Sequence, residues 1–466
     1  MKQQLPARPS LVQLKHQAKD LLHEYSSGVE DAKVRFREHL PGFSARRKIT
    51  LSDAQLVLAR EYEFASWPRL KRHVESLEAF EERVSRLRAE FAAGDEESRR
   101  ELLKPAHARE RFENYDPEGP ALSEADARLL IANQEGYAFW SKYESYLHLE
   151  PAVRDAIAVA RTGDLEHLRG ILRADPKAAN PHWVSGFAPP NPIPNDSIPL
   201  FCVSEGIFNG TNRRGNGYEI ADVLMAAGAE VEIGGGHALT GAVSFNALRV
   251  AEALLDRGAA VDGVDGDGVP MAYALHFGFR EMAELLARRG ARLDLRFASG
   301  LGRMEEVRGW FLPDGALKPG AGALADPYGL ERKQRGESPF RYERTREKIL
   351  LQALYFACVQ ERLEAADFLL AQGAEINGIV PGLDMRGTIL HRVASMEWEG
   401  PPARCERVIR FLIERGADPA ARDREYNATP AGWASYCGRR EAAALLAELT
   451  GASGPGEAAS SRESTA

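Results

Sequence analysis

The 466-residue chain contains only four cysteines and no long apolar run. Cys202, Cys358, Cys405 and Cys437 lie far apart and form no CxxC or CxxH pair. A disulfide framework or a structural zinc site needs closer or more numerous ligands, so neither is expected, and a reducing cytoplasm is favoured. The first twenty residues lack the apolar core of a secretory signal, and no stretch approaches the roughly 18 apolar residues of a membrane span. We therefore predict a cytoplasmic protein without a membrane partner.

A surplus of positive charge is also absent. The net charge is −8, with 44% hydrophobic and 27% charged residues, as in ordinary soluble proteins. Residues 1–80 carry 14 Lys and Arg against 10 Asp and Glu, which is too small a surplus for a phosphate-binding surface. We therefore expect no nucleic-acid partner.

One short string recurs along the C-terminal two-thirds of the chain. Each copy closes a segment whose apolar residues are spaced for a helix, and its glycine suits a left-handed helix C-cap. The copies are LMAAGA at 224–229, LLDRGA at 254–259, LLARRGA at 285–291, LLAQGA at 369–374 and LIERGA at 412–417. Five helices that end in the same way indicate a repeat.

Another helix precedes each helix that ends in the recurring string. In VPMAYALHFGFREMAELLARRGA (269–291), Pro270 suits a first helical turn, and Gly278 breaks the chain eight residues later. In ATPAGWASYCGRREAAALLAEL (428–449), Pro430 and Gly438 have the same spacing. The repeating unit is therefore predicted to be a pair of helices.

These motifs resemble the ankyrin repeat, whose pattern runs from TPLHxAA to an LLxxGA ending. Thr429-Pro430, Thr388 with Leu390-His391, and the Gly-Ala endings carry the resemblance. Two first helices depart from it and read HALTGAV and QALYFAC. The same register places the start of the second helix at positions 166, 219, 249, 281, 305, 364, 407 and 441. The resemblance implies an all-α solenoid of about eight helix pairs over 151–450, with insertions at 181–199, 207–217, 313–343 and 396–404.

Residues 1–150 repeat more loosely, as copies of about 1–78 and 79–150. Aligning 51–74 with 123–147 places Trp67 over Trp140 and Asp53 over Asp126. This region looks like the helical extension that precedes ankyrin repeats in some bacterial proteins. The small, polar tail 451–466 is expected to be disordered.

Possible catalytic motifs have simpler structural interpretations. Gly300-x-Gly302 lacks the preceding strand and the further glycine or lysine of a phosphate loop, so Gly302 is interpreted as a helix break. His237 and His391 occupy the Thr and His positions of the TPLH motif, and no nucleophile accompanies either one at a readable spacing. Whether His391 meets Cys405 stays open. We predict no catalytic, cofactor-binding or metal-binding residues.

Two features of residues 1–150 have an alternative interpretation. Trp67 and Trp140 are interpreted as core anchors rather than as ligand-stacking residues. The basic runs 46–48 and 69–72 are interpreted as solvated helix faces, with an anionic partner as the alternative.

In the ankyrin family, fingers and first helices line one concave face, which implies a protein-binding surface here. The register puts aromatic, His, Met and Arg residues on it, the types that often anchor interfaces. The predicted partner-binding residues are Phe245, Tyr273, His276, Phe277, Arg392, Met396, Trp398, Trp433 and Tyr436. Half of them could instead fill space between neighbouring helices, and both interpretations stay open.

The sequence thus predicts a non-enzymatic, monomeric protein-interaction module that needs no cofactor. The alternative is an enzymatic or nucleic-acid-binding unit in residues 1–150 with the repeats as its attachment. A buried constellation of several polar side chains in that region, or a continuous basic stripe across 33–73, would favour the alternative.

Overall fold

The structure is a computed structural model. The described residues are 5–6, 9–40, 42–43, 48–64, 66–95, 97–99, 121–137, 139–184, 187–188, 191–322, 344–380, 387–398, 403–424 and 426–450. Their regular secondary structure is entirely helical, with two isolated bridges, and the fold class is all-α as predicted. None of the described helices has the length and apolar character needed to cross a bilayer. The tail 451–466 and most of the insertion 313–343 lie outside the described residues.

The chain packs as two compact units. One, the N-terminal unit, comprises residues 1–203 with 222–230, and the other, the C-terminal unit, comprises 204–221 with 231–466. The division falls within the second helix pair, so the predicted domain boundary near residue 150 stays a prediction.

The described residues of the first part of the N-terminal unit include six helices of eight residues or more. They are α1 (Leu11–Ser26), α2 (Glu30–His39), α3 (Leu51–Glu61), α4 (Trp67–Ala93), α5 (Glu124–Gln134) and α6 (Trp140–Leu147). The hydroxyl of Thr50 caps α3 by accepting from the Asp53 amide, and Ser123 caps α5 through the Asp126 amide. Trp67 and Trp140 each begin the next helix. The aligned residues therefore occupy equivalent places.

Helix α4 contributes to two separate hydrophobic cores because it is 27 residues long. Leu70 and Val74 near its start pack with Leu14 of α1. Phe80 and Val84 pack further along the helix in a second core. Trp67 and Trp140 pack against the first and second cores respectively while staying partly exposed, which agrees with their interpretation as core anchors.

Eight helix pairs, here called repeats one to eight, follow in order along the chain. They are α7 (Pro151–Thr162) with α8 (Leu165–Ala174), α9 (Pro199–Phe208) with α10 (Gly217–Ala226), α11 (Ile233–Ser244) with α12 (Leu248–Asp256), α13 (Val269–Phe277) with α14 (Arg280–Arg288), α15 (Leu295–Leu301) with α16 (Met304–Gly309), α17 (Arg346–Val359) with α18 (Leu363–Ala371), α19 (Ile389–Ser395) with α20 (Ala403–Glu414), and α21 (Pro430–Tyr436) with α22 (Arg440–Thr450). Each position from which the register starts a second helix lies in the second helix of its pair.

The glycines of the recurring string end the second helices as predicted. The five, Gly228, Gly258, Gly290, Gly373 and Gly416, have φ angles between 88° and 99°. Residues with a Cβ are strained in this left-handed region, whereas glycine adopts it freely. The string therefore ends the helix. The extended loop that follows it and leads to the next helix pair is here called a finger.

A ladder of side-chain bonds ties each of four fingers to the next repeat. In each tie an Asn, Asp or Glu accepts a hydrogen bond from the amide two residues beyond the next repeat's glycine. The ties are Asn180 to Glu230 (2.8 Å), Glu232 to Ala260 (2.6 Å), Asp262 to Arg292 (2.9 Å) and Asn377 to Asp418 (2.8 Å). Asn180 and Asn377 also donate Nδ2 to the carbonyls of Gly228 and Gly416. The ladder connects successive helix pairs through polar bonds in addition to apolar packing.

Repeat five interrupts this ladder. Asp294 holds the same place after Gly290, but α15 begins at the next residue, so there is no room for an extended finger. Its carboxylate instead caps α15 by accepting from the amides of Arg296 and Phe297, and it pairs with the buried Arg296 side chain. The missing finger that the short spacing predicts is thus replaced by a buried ion pair.

Candidate functional site

The predicted partner-binding residues lie in repeats three, four, seven and eight, but their exposure differs widely. Tyr273, His276 and Met396 are buried, so the expectation that they are exposed is wrong. Phe245, Phe277, Arg392, Trp398 and Trp433 are half-buried, and Tyr436 is 93% exposed. The set therefore divides into residues that connect repeats and residues that a partner could reach.

His276 belongs to a polar connection between three repeats. Its Nδ1 lies 2.7 Å from the Tyr355 hydroxyl of α17, and Arg392 of α19 donates Nη2 to the His276 carbonyl at 2.9 Å. Burial lowers the pKa of His276 well below its ordinary value, so the ring is neutral. Tyr355, fully buried, has its pKa raised to about 12 by burial. His276 and Arg392 thus join repeats four, six and seven, a role that the register of single repeats cannot reveal.

An aromatic row, defined here as Phe208, Phe245 and Phe277, occurs where the first helices of repeats two, three and four end. Phe208 and Phe277 are the last helical residues, and Phe245 directly follows Ser244. The Phe208 and Phe245 rings stack with centroids 4.8 Å apart, although Phe208 is still 64% exposed. Phe277 stacks on Tyr273 at 5.6 Å. Sequence reasoning missed Phe208, yet its place before Asn209-Gly210 matches that of Phe245 before Asn246.

The insertion after Phe208 is held by its own hydrogen bonds. The backbone amide of Asn212 donates to the Gly206 carbonyl at 2.9 Å, and the Thr211 hydroxyl donates to the same carbonyl at 3.0 Å. The Arg214 amide in turn donates to the Asn212 side chain at 3.0 Å. The loop that follows Phe208 therefore has a defined conformation.

Trp398 and Trp433 are half-buried and held in place. The Trp398 indole donates to the Val393 carbonyl at 3.0 Å, and the Arg404 guanidinium lies 5.4 Å from the ring centroid. The Trp433 indole donates to Asp423 at 3.0 Å. Fixed aromatic rings lose little conformational freedom on binding, which suits them to contact a partner. Residues 399–402 of the neighbouring insertion lie outside the described residues.

His391 performs the structural role that the TPLH motif implies. Its Nδ1 accepts from the Thr388 amide at 3.1 Å, and its Nε2 lies 3.1 Å from the Ala428 carbonyl of the following finger. Burial lowers its pKa, so the ring is neutral and Nε2 carries the proton donated to Ala428. Cys405 has a different partner, the Val393 carbonyl at 3.5 Å, and burial raises its pKa to about 11. The geometry shows no activated Cys/His pair here.

Other candidate motifs are also structural. Gly302 has a φ of 73° and breaks the chain between α15 and α16, so it is a helix break rather than a phosphate loop. His237 is buried in α11. Among the described residues, no group of three or more His, Cys, Asp or Glu side chains is placed to hold a metal ion.

Several basic residues between positions 33 and 73 are paired with carboxylates. Arg35 binds Glu61 at 2.7 Å, Arg69 binds Asp175 at 2.7 Å, and Arg72 contacts Asp155 at 3.3 Å. Paired charges attract phosphates less, so these pairs weaken the case for a basic stripe across 33–73. Two of the three residues in the run 46–48 lie outside the described residues.

A buried polar group is present in the same unit. His73 is fully buried, neither ring nitrogen has a hydrogen-bond partner within the described chain, and its ring lies 5.7 Å from that of His148. Burial, with the nearby Arg154 and His148, lowers the pKa of His73 to about 3, and burial lowers that of His148 to about 4. Burial raises the pKa of Glu150 to about 7. Both rings are neutral at pH 7 and are packed among aromatic neighbours.

Known proteins resemble the chain in structure rather than in sequence. No protein-family model matches it, and no curated protein matches it significantly. The ankyrin repeat domain of human ASB11 is 20% identical and covers 54% of this chain and 98% of its own, with a TM-score of 0.24. The ankyrin repeat domain of Bcl-3, a member of the IkappaB family, is 17% identical and covers 63% of this chain and 97% of its own, with a TM-score of 0.26. The helix pairs, glycine stops and Thr388–His391 bond described above are features that the resemblance of the sequence motifs to ankyrin repeats implies.

Proposed function

We propose that this chain is a protein-interaction module whose partner binds the aromatic row, and that it works without catalysis as a monomer in a bacterial cytoplasm. The observation that carries the proposal is Phe208, whose ring is 64% exposed although it stacks on Phe245. Solvent-exposed aromatic side chains are common energetic anchors of protein interfaces. Tyr436 and the fixed rings of Trp398 and Trp433 extend the surface that we propose in repeats seven and eight.

The four cysteines support the proposed compartment. All are free thiols, and Cys202 and Cys358 are buried. Burial raises the pKa of Cys358 to about 12, which keeps that thiol protonated and unreactive. The alternative function, an enzymatic or nucleic-acid-binding unit in residues 1–150, has less support because basic residues of that region are paired with carboxylates.

Site-specific crosslinking tests the proposal. A photoreactive phenylalanine analogue replaces Phe208 in the full chain, and a control protein carries it in place of Arg288, which is exposed on the second helix of repeat four. Both proteins are illuminated in an extract of the source organism. We expect a partner protein to be crosslinked to the chain with the analogue at position 208 and not to the control chain.

The affinity of that purified partner then measures the contribution of the row. Phe208→Ala combined with Phe277→Ala should weaken binding by roughly 100-fold or more, since a true anchor contributes about 2 kcal/mol. Leu312→Ala, which removes another exposed apolar side chain of the C-terminal unit, serves as the matched control and should leave the affinity unchanged. If the double variant is folded and binds with wild-type affinity, the partner does not use the aromatic row.

A further inference from the structure

The N-terminal unit contains a cavity of about 650 Å³. It is lined by side chains of α4, α5 and α6, with Pro9 and His148 at its margin. Small-molecule sites in proteins usually measure roughly 300–1,000 Å³. The cavity is therefore large enough for a small ligand or for a long side chain of a partner.

The charged groups of the lining are mostly acidic. Four carboxylates, those of Glu78, Glu81, Glu82 and Glu144, face one guanidinium, that of Arg128. His148 adds no positive charge at pH 7, because burial lowers its pKa to about 4. A cationic ligand would thus find complementary charge in the lining, whereas an anion would be repelled.

Of these four carboxylates, Glu81 forms an ion pair, and Glu78 and Glu144 accept hydrogen bonds from uncharged donors. Glu78 accepts from the Leu11 amide at 3.0 Å, and Glu81 accepts from Arg128 at 2.7 Å. Within the described chain, neither Glu82 nor Glu144 belongs to an ion pair. Burial raises the pKa of Glu144, whereas the charge of Arg128 and a hydrogen bond from the Trp140 side chain act in the opposite direction, so its negative charge is partly desolvated and has no bonded cation. A ligand cation would stabilise that charge.

The cavity also has an aromatic wall. Phe80 and Trp140 stack with centroids 4.9 Å apart and planes 19° apart. The guanidinium carbon of Arg128 lies 5.4 Å from the Phe80 centroid and 5.0 Å from the Trp140 centroid. The faces of aromatic rings attract cations within about 6 Å. The lining thus already binds one guanidinium, that of Arg128, through the Phe80 and Trp140 rings and the Glu81 carboxylate.

We propose that this cavity binds an organic cation, a guanidinium or primary ammonium group on an alkyl stem. The stem lies against Trp140, Leu77 and Leu147, and the charge lies between Glu82 and Glu144. The cation is either a free small molecule or an Arg or Lys side chain presented by another protein. This binding site is independent of the aromatic row in the C-terminal unit.

Calorimetric titration of the full chain tests the proposal with a matched ligand pair. Butylguanidinium and butylurea have the same shape, but only the first is charged. A second pair, a short Gly-Ser peptide with one central arginine and the same peptide with citrulline, represents the protein source. We expect at least one cationic ligand to bind one-to-one, and its neutral match to bind at least tenfold more weakly. Binding of the arginine peptide alone would assign the protein source.

Variants locate the site. Glu82→Gln with Glu144→Gln should weaken binding of the cation at least tenfold, whereas Glu90→Gln, which changes an exposed carboxylate of α4 outside the cavity, should not. If the double variant does not fold, Glu82→Gln alone changes an exposed residue and should still weaken binding severalfold. Equal binding of the charged and neutral ligands, no binding of either cation, or wild-type affinity in folded variants would overturn the proposal.

Discussion

Replacing Asp294 by Asn should destabilise the protein strongly, because its partner Arg296 would keep a buried charge without a counterion. The side chains of Arg296 and Asp294 are 0% and 1% exposed. The guanidinium donates to both carboxylate oxygens, from Nε to Oδ1 at 3.2 Å and from Nη2 to Oδ2 at 2.6 Å, and Nη1 donates to Gln352 at 3.1 Å. Asn keeps the shape and, through Oδ1, the acceptor that caps α15, but its Nδ2 replaces the oxygen that accepts from Arg296, so the change removes both the charge and a hydrogen bond.

The expected magnitude follows from that burial. Breaking a buried ion pair from one side costs roughly 3–5 kcal/mol, since the remaining ion is neither solvated nor paired. Adding Arg296→Met to the Asp294→Asn variant removes the unpaired charge, and apolar replacement of a buried pair is often nearly neutral. We therefore expect the double variant to be more stable than the single one, with a total loss below about 2 kcal/mol.

Urea unfolding followed by circular dichroism measures these differences, with constant slopes as the check that the unfolding transition is unchanged. An exposed ion pair, Arg308 with Glu364, provides the control cycle, and its coupling should be at most about 1 kcal/mol. A loss below about 1 kcal/mol for Asp294→Asn, or a double variant less stable than the single one, would refute the reasoning, because the guanidinium would then reach water.

Three further changes test burial elsewhere. Leu254→Ala should lower the free energy of unfolding by roughly 2–5 kcal/mol because the side chain is fully buried. Leu255→Ala, which shortens a half-buried side chain, should lower it clearly less. Equal losses in urea unfolding would mean that the helix register is wrong. Tyr436→Ala should change stability by less than about 0.5 kcal/mol, measured in the same way, because the ring is 93% exposed. His73→Phe should reduce the loss of stability between pH 7 and pH 5. The native His73 ring has a pKa of about 3, so only the ring of the unfolded chain gains a proton as the pH falls below 6.5. This protonation of the unfolded state lowers the free energy of unfolding by roughly 2 kcal/mol at pH 5. Glu150, whose raised pKa acts in the opposite direction, is common to both proteins, so a pH dependence that is unchanged in the variant would show that the His73 ring is solvated.

The helix pairs could be predicted from the sequence because their signals are local. A glycine that stops a helix and a proline in a first turn act within a few residues, and each position that the register gives therefore lies within a second helix. The finger ladder also leaves a local signal, since Glu232, Asp262, Asp294 and Asn377 all lie four residues after the glycine that ends a second helix.

The exposure of the candidate site could not be predicted in the same way. His276 is buried because residues 79 and 116 positions away, Tyr355 and Arg392, bond to it. The periodicity of one repeat carries no information about such distant contacts. Phe208 was missed because an insertion follows it and obscures its correspondence to Phe245. The residues that a partner could reach thus depend on how the repeats pack against one another.

The two asparagine ties of the finger ladder should age differently. Asn377 is followed by Gly378, the residue that least hinders attack of a backbone nitrogen on a side-chain amide, and this attack is the first step of spontaneous deamidation. Conversion to aspartate would replace the Nδ2 donor by an oxygen facing the Gly416 carbonyl, which would set two acceptors against each other at 3.0 Å. Asn180 is followed by Pro181, which has no amide hydrogen and cannot react in this way. We therefore expect the hydrogen bond between repeats six and seven to be lost slowly through deamidation of Asn377, whereas the equivalent bond after repeat one should persist.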